Sequence, residues 1–264
     1  MRKLAFTLMA ALACQTAFTQ SQSVFVQTVC LKVEPVKAGQ YEAFVRETVA
    51  KGMRAMVQSG DVLWFVFSRS VVPAGEAATC DYIGATATRG FPSAPAQSLL
   101  AAAIAKSGLN LTAEQYLAKA NSLRRQVSSS VLVGLGAAGE IGEGDYYRVN
   151  QMKIKPGMSA AWRDLETKIW GPVQEERVKA GKLKAWRSYN RMLPGGTGHS
   201  YDAVTIDVFP SWAAQGQPGG LADAVKKVHP NLKQEEFGEK TTAARELVNS
   251  ELRQAILVMG NTKM

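Results

Sequence analysis

The second half of this 264-residue sequence repeats the first half at a constant offset of 121 residues. Identical residues coincide mainly at positions typical of turns and strand ends: Lys32/Lys153, Pro35/Pro156, Gly60/Gly181, Pro73/Pro194, Gly75/Gly196, Asp81/Asp202, Asn110/Asn231 and Arg124/Arg245. The register holds without insertion or deletion, which indicates a tandem duplication. Because each copy is far longer than a solenoid repeat, the pattern predicts two similar domains or one fused pair.

Each copy predicts the same order of secondary structure. Residues 24–33 and 146–154 are Val-rich or alternate apolar and polar residues, as strands do. Residues 40–57 then carry apolar side chains at helical spacing, and the second copy repeats this stripe. Two further strands, a helix and a last strand follow. This strand-helix-strand-strand-helix-strand order is that of a ferredoxin-like unit.

The duplication also sets the predicted boundaries. The first repeat covers residues 24–135, the second covers 145–259, and a Gly-rich linker at 136–144 joins them. The glycines from Gly134 to Gly139 match the spacing of a dinucleotide-binding loop. Further glycines follow where such a loop must begin a helix, so we interpret the segment as a linker.

A ferredoxin-like unit places its helices on one face of its sheet, and the other face needs a cover. The second copy on the same chain supplies that cover. The predicted fold class is therefore α+β, with two tandem ferredoxin-like repeats packed sheet to sheet as an intramolecular α/β barrel. A cavity between the sheets is the predicted ligand site.

Segments of the second repeat resemble the dimeric α/β-barrel superfamily, including its NIPSNAP-like and antibiotic-biosynthesis-monooxygenase-like members. The segments are 153–157 (KIKPG), 186–196 (WRSYNRMLPGG), 201–202 (YD) and 209–212 (FPSW). The resemblance covers nearly the whole chain after the leader and implies the fold. The superfamily includes cofactor-independent monooxygenases, haem-handling enzymes and isomerases, so it implies no single activity.

Residues 1–19 are predicted to be a signal peptide. Arg2 and Lys3 precede an apolar run of ten residues, and small residues end the segment. The run is shorter than the roughly 20 residues that span a bilayer, and no later segment is apolar enough. We therefore predict a periplasmic or secreted protein without a transmembrane segment. Cys14 follows Ala-Leu-Ala, which leaves processing as a lipoprotein open.

The net charge of +9 does not indicate nucleic-acid binding. Its cations are interleaved with anions and form no basic block with aromatic residues. His199 and His229 show no metal-ligand spacing, so we predict no metal and no resident cofactor. A small-molecule ligand is the expected partner, and a homo-oligomer is left open.

The predicted ligand site lies on strands of the second repeat. Arg187 and Tyr189 on its second strand, with Trp186 beside them, and Tyr201 and Asp207 on its third are polar or aromatic. At the equivalents of Arg187, Tyr189 and Asp207, the first repeat has Val66, Ser68 and Thr86. Buried charge needs partners, so these residues form either a structural ion-pair network or a site for an anion or phenol.

Strand alternation assigns the two faces of the second sheet. Met152 and Ile154, with Val204, Ile206 and Val208, are predicted to pack against the helices. The opposite face, with Asp207, would then line the barrel. His229, near the C-terminal helices, is the candidate axial ligand if a haem is bound.

Two cysteines, Cys30 in the first predicted strand and Cys80 in the third, lie on neighbouring strands of the predicted sheet. They are either two buried thiols or a disulfide, which an exported protein could form.

Three functions are consistent with these patterns. The first is an exported protein that binds a small molecule in the barrel. The second is a cofactor-independent monooxygenase or isomerase that acts on an aromatic substrate. The third is a haem-binding protein.

Overall fold

The computed structural model describes residues 23–263, which form an α+β structure around a closed eight-stranded barrel. The strands are β1 Val24–Lys32, β2 Trp64–Val72, β3 Tyr82–Arg89, β4 Arg125–Gly139, β5 Tyr146–Ile154, β6 Ala185–Leu193, β7 Ala203–Phe209 and β8 Arg245–Gly260. All pair antiparallel, in the order β1-β3-β2-β8-β5-β7-β6-β4. The predicted signal peptide, with Cys14, lies outside the described residues.

Helices cover the outside of the barrel. They are α1 Ala38–Phe44, α2 Ala50–Ser59, α3 Ala96–Lys106, α4 Ala113–Leu123, α5 Ser159–Asp164, α6 Gly171–Lys179, α7 Leu221–Val228 and α8 Gln234–Ala244. A π-helical turn joins α1 to α2 at Val45–Val49, and another joins α5 to α6 at Leu165–Trp170. Short 3-10 turns lie at Pro35–Lys37, Gly75–Ala77 and Ala213–Gly216. Over residues 23–263, no helix is both long and apolar enough to cross a membrane.

The two halves of the barrel have the same strand order, β4-β1-β3-β2 and β8-β5-β7-β6. Their pairing register is also the same under the 121-residue offset: Val29 faces Gly84, and Asn150 faces Thr205. Two seams close the barrel, one between β2 and β8 and one between β4 and β6.

The last strand of each half is longer than the 131–135 and 252–259 that its apolar residues predict. β4 begins at Arg125 and continues to Gly139, so residues 136–139 belong to a strand and only 140–145 connect the halves. The predicted linker of 136–144 is therefore too long at its start. The β4 backbone from residue 131 onward pairs with β6, which explains why a Gly-rich segment is extended here.

Each seam ends at a glycine with a positive φ angle, Gly139 at 67° and Gly260 at 79°. A Cβ atom at Gly139 would overlap the carbonyl oxygen of Lys184, and one at Gly260 would overlap that of Leu63. Both positions therefore need glycine for conformation and for space.

The apolar face of the second half's sheet is turned toward the barrel interior, where it meets apolar residues of the first half. Val204 and Val208 of β7 pack there with Tyr147 and Val149 of β5, and Ile206 lines the same space. The prediction that Val204, Ile206 and Val208 pack against the helices is wrong. The placement of Met152 and Ile154 is confirmed, since both pack against Trp162 and Leu165 on the helical side.

Little space is left inside the barrel, where a cavity of about 80 Å³ remains. The buried guanidinium of Arg253 spans this region: its Nε lies 3.0 Å from Oε1 of Glu251, and its Nη2 donates to the carbonyl of Cys80 at 2.8 Å. Cys80 is joined to Cys30 by a disulfide bond, with 5.2 Å between their Cα atoms. The bond ties β1 to the segment that leads into β3.

A capping box begins α4. The Thr112 hydroxyl accepts from the Gln115 N–H at 3.1 Å, and the Thr112 N–H donates to the Gln115 side chain at 2.9 Å. Two otherwise free N–H groups are thereby satisfied.

Candidate functional site

A cavity of about 300 Å³ lies between the sheet and the helices of the second half. Strands β5, β7 and β8 form its floor, the π-helical turn and α6 form one wall, and the segment before α7 covers it. Its lining is mostly polar and aromatic: Arg148, Asn150, Glu166, Trp170, Gln174, Arg177, Trp186, Thr205, Asp207, Phe209, Gln215, Gln217 and Arg245, with Met152, Gly219, Leu221 and Leu247.

The equivalent space in the first half is smaller, about 60 Å³, and mainly apolar. At the 121-residue offset, the polar residues of the second cavity replace apolar or weakly polar ones: Asn150 for Val29, Glu166 for Val45, Gln174 for Met53, Arg177 for Met56 and Asp207 for Thr86. The two halves thus share a backbone register but differ in chemistry. Arg245 has an arginine equivalent, Arg124, which lines the first cavity. The two carboxyl groups and the Arg177 guanidinium occur in the second cavity only, which indicates a function there rather than a requirement of the fold.

Glu166 is the carboxyl that the π-helical turn directs into this cavity. The residue is 1% exposed, and neither of its carboxylate oxygens has a hydrogen-bond partner within 3.5 Å in the described part of the chain. Burial raises the pKa of Glu166 to about 7, an effect that the charge of Arg245 and the nearby Ser188 hydroxyl partly oppose. π-helical turns often occur at functional sites because the extra residue redirects a side chain.

Arg245, the first residue of β8, is the cation nearest to Glu166. Its Nε lies 4.0 Å from Oε1 of Glu166, so the pair is close but makes no direct hydrogen bond. Its guanidinium carbon lies 5.6 Å from the ring centre of Trp162 and 5.8 Å from that of Trp170. The two indoles therefore hold the cation in place through cation–π contacts.

Asp207 is the second carboxyl of the cavity. Its Oδ2 accepts a hydrogen bond from Asn150 Nδ2 at 2.9 Å, while its Oδ1 has no partner in residues 23–263. Burial raises its pKa, and the charges of Arg177, Arg148 and Arg245 oppose that effect. The cavity thus holds two carboxyl groups in different surroundings, an arrangement that separates proton-transfer roles.

Arg177 holds the covering segment. Its Nε donates to the carbonyl of Gly219 at 2.7 Å, and its Nη1 donates to the Gln174 side chain at 2.8 Å. A Cβ atom at position 219 would collide with Nη2 of Arg177. Glycine at this position therefore lets the backbone lie directly on the guanidinium.

The structure does not bring the six sequence-predicted site residues together. Trp186 and Asp207 line the helix-side cavity, whereas Tyr189 and Tyr201 line the barrel interior. Asp207 was expected on the barrel face, and it lies on the opposite one. The expectation of a single pocket in the barrel is thus wrong for this set.

The guanidinium of Arg187 donates hydrogen bonds to four backbone carbonyl groups. Its Nη1 donates to the carbonyls of Ala138 and Trp186, at 2.7 and 2.6 Å. Its Nη2 donates to those of Gly139 and Thr262, at 2.9 and 2.6 Å. With no exposed surface and four carbonyl partners, Arg187 holds the end of the β4–β6 seam.

His229 follows α7, and its Nε2 lies 3.2 Å from the carbonyl oxygen of Ile169. A carbonyl can only accept, so this nitrogen carries the proton. Within residues 23–263 no histidine lines the 300 Å³ cavity, and no cluster of three His, Cys, Asp or Glu side chains could hold a metal. The residues present do not fit a haem with a histidine axial ligand.

Sequence reasoning missed Glu166, Arg177, Arg245 and Arg148. Glu166 and Arg177 lie on helices whose apolar residues recur at helical spacing. That spacing predicts a buried helix face, but it does not predict that polar side chains share the face. For Glu166 and Arg177 the signal was present in the offset of 121 residues, at which valine and methionine in the first half become glutamate and arginine in the second.

Two of the solved structures that share this fold illustrate the similarity. One is described as a "putative monooxygenase" from Lactobacillus acidophilus NCFM; it is 11% identical, with a TM-score of 0.57 over 90% of this chain and 98% of that one. The other carries the same description and comes from Fusobacterium nucleatum subsp. nucleatum ATCC 25586; it is 9% identical, with a TM-score of 0.62 over 92% and 96%. At these identities the likeness concerns the fold alone.

No protein-family model matches the sequence, and no curated protein matches it. The NIPSNAP-like part of the resemblance therefore stays a prediction.

Proposed function

We propose that this chain is an exported protein whose second-half cavity binds a small aromatic molecule and whose Glu166 removes a proton from it. The reaction class is that of a cofactor-independent monooxygenase or an isomerase. The two halves are proposed to be ferredoxin-like units that arose by duplication, of which the second kept or acquired the site.

One observation carries the proposal: a buried carboxyl with no hydrogen bond to its oxygens among the described residues lines a cavity next to a guanidinium. A general base is most effective when its pKa lies near the working pH, and burial brings the pKa of Glu166 to about 7. The rings of Trp170, Trp186 and Phe209 supply walls for an aromatic substrate.

In the proposed reaction, the carboxylate of Glu166 takes a proton from a C–H or O–H group of the substrate. The positive charge of Arg245 stabilises the resulting anion, whose negative charge is delocalised over the aromatic system. Return of the proton to another carbon gives an isomer. Alternatively, the carbanion adds to dioxygen, the peroxide anion takes the proton back from Glu166, and the resulting hydroperoxide loses water, so that one oxygen atom stays on the substrate as a carbonyl and the other leaves as water. The description of both neighbours as monooxygenases supports the second outcome.

The test starts from native mass spectrometry of the protein purified from its own host, to identify a retained compound. That compound is then incubated with the wild-type protein in D₂O, with and without oxygen. We expect deuterium uptake in both conditions and, for an oxygenase, oxygen consumption in the first. Glu166→Gln should retain the compound but lose at least 100-fold in exchange rate, on the order of a lost general base.

Glu175→Gln is the matched control, because it makes the same chemical change at an exposed position of α6. Equal exchange rates in wild type and Glu166→Gln would contradict the proton-transfer role. Retention of a compound without any exchange or oxygen uptake would leave a binding protein without chemistry.

Export is supported by the leader pattern and by the Cys30–Cys80 disulfide, since such bonds persist in oxidising compartments. The mass of the mature chain tests this. Loss of residues 1–19 indicates cleavage of a secretory leader, a lipid mass on Cys14 indicates a lipoprotein, and an intact N-terminus contradicts export.

A further inference from the structure

We infer that the substrate of the second-half cavity carries a carboxylate and that Arg148 is the residue that recognises it. This inference rests on the proposed function for the location of the site, and it adds the substrate class, a one- or two-ring aromatic acid. It does not depend on the reaction at Glu166.

Arg148 differs in its contacts from the residue at the equivalent position of the first half. Its equivalent in the first half, Gln27, fastens the segment that covers the first cavity. Gln27 Nε2 donates to the carbonyl of Ala94 at 3.1 Å, and Gln27 Oε1 accepts from the N–H of Ala96 at 3.0 Å. Both the amide nitrogen and the amide oxygen of Gln27 are thus engaged by the covering segment.

In the second half this fastening is absent. Over residues 23–263, Arg148 makes no side-chain hydrogen bond and no ion pair within 4.0 Å; its guanidinium carbon lies 5.5 Å from the ring centre of Phe209. Gln215, which takes the place of Ala94, has buried amide nitrogen and oxygen atoms without partners in the same residues. Two side chains that line one cavity therefore have unused hydrogen-bonding groups.

The other two guanidinium groups of the cavity have protein partners. Arg177 donates to Gly219 and Gln174, and Arg245 forms an ion pair with Glu166 at 4.0 Å between two indoles. Of the three, Arg148 alone has neither a side-chain hydrogen bond nor an ion pair within 4.0 Å in residues 23–263. Its direct cross-strand partner is Asp207, whose Oδ2 is already bonded to Asn150.

The charge balance of the cavity favours an anion. Three guanidinium groups face two carboxyl groups, which leaves an excess of positive charge in the cavity. A carboxylate offers two oxygens in the plane that a guanidinium fork matches, which makes arginine its preferred partner. A volume of about 300 Å³ with aromatic walls accommodates a small ring system.

The experiment compares two probes that have nearly the same shape and differ in charge, benzoate and benzamide. Their affinities for the full chain are measured by ligand-observed NMR, for wild type, Arg148→Gln and the control Arg54→Gln. Arg54 is exposed on α2 in the first half, so this control makes the same charge change away from the cavity. Arg148→Gln introduces the residue that the first half already has at this position, which favours correct folding.

We expect wild type to bind benzoate at least roughly ten-fold more tightly than benzamide. Arg148→Gln should lower the affinity for benzoate by roughly 10- to 100-fold, the range for a charge-assisted hydrogen bond, and leave the affinity for benzamide unchanged. Arg148→Lys should recover part of the benzoate affinity, because it restores the charge without the planar fork.

Equal affinities of wild type for the two probes, an unchanged benzoate affinity in Arg148→Gln, or no benzoate binding at millimolar concentration would each overturn the inference. None of these results bears on proton transfer, which the Glu166→Gln exchange measurement decides. Loss of exchange in Glu166→Gln together with equal binding of the two probes would keep the proposed function and discard the carboxylate.

Discussion

At the scale of single residues, the most unusual feature is a carboxyl held where a valine would stabilise the fold better. Position 45 of the first half is a buried valine, and position 166 of the second is a buried glutamate. Burial without hydrogen bonds disfavours the charged carboxylate. Folded proteins keep such destabilising groups mainly at functional sites, where the perturbed pKa is of use.

Glu166→Gln should therefore stabilise the protein at alkaline pH. The folded-state pKa of Glu166 is raised from 4.5 to about 7, so the folded protein binds more protons than the unfolded one between these values, and stability falls as pH rises through them. The loss of folding stability caused by ionising Glu166 is absent below about pH 4.5 and complete above about pH 7, where it reaches about 3 kcal/mol at most.

Urea denaturation of both proteins at pH 4.5, 6 and 8 checks this prediction, with Glu175→Gln as the control for loss of a surface charge. We expect the difference between Glu166→Gln and wild type to grow from near zero to its maximum over this series. A difference that is constant with pH would show that the glutamate is not titrating in the folded protein.

At the scale of elements, the sequence predicts the existence and order of the strands well, because Val-rich alternation and turn residues are local signals. It assigns the faces of β7 incorrectly, because both faces are covered. Alternation shows that Val204 and Asp207 lie on opposite faces, but it does not show which face meets the helices. The usual expectation that helices cover the apolar face fails here, since the polar cavity lies under the helices.

The start of β4 and of β8 could not be predicted for a related reason. Residues 125–130 and 246–251 are largely polar, and their extended conformation depends on pairing with β1 and β5. These contacts are between segments distant in sequence. The seam glycines illustrate the same limit: Gly139 is visible in the sequence as part of a Gly-rich run, but the carbonyl against which it packs is not.

Gly139→Ala and Gly260→Ala should each destabilise the protein by about 2 kcal/mol or more, because each forces a Cβ into a backbone carbonyl at a positive φ. Gly39→Ala is the contrasting variant. Its Cβ has no neighbour within 4 Å and it lies in α1, so it should gain about 0.5–1 kcal/mol. Thermal unfolding of the three variants ranks them, and a seam variant as stable as wild type would contradict the described backbone.

At the scale of the whole molecule, the barrel depends on contacts between the halves at two seams and on a disulfide within the first half. Cys30 and Cys80 are separated by 50 residues along the chain and are both buried. Closing a loop of this length restricts the unfolded chain, which stabilises the folded one by about 4 kcal/mol in the loop-entropy description.

The double variant Cys30→Ala/Cys80→Ala should lower the free energy of unfolding by about that amount and should be insensitive to reductant. Wild type should lose stability when reductant is added. Alkylation of the unfolded, unreduced protein followed by peptide mass mapping gives an independent reading. Modified Cys30 and Cys80 in that experiment would show that the bond is absent in the purified protein.

The placement of both halves on one polypeptide has a consequence for what each half is free to become. In a barrel assembled from two identical chains, every substitution occurs twice, so a buried carboxyl would burden both cavities. Here position 166 holds glutamate while position 45 keeps valine, and the cost of an ionisable interior is incurred once. The first half can therefore keep an apolar core that stabilises the barrel, while the second half carries the destabilising carboxyl of the proposed site.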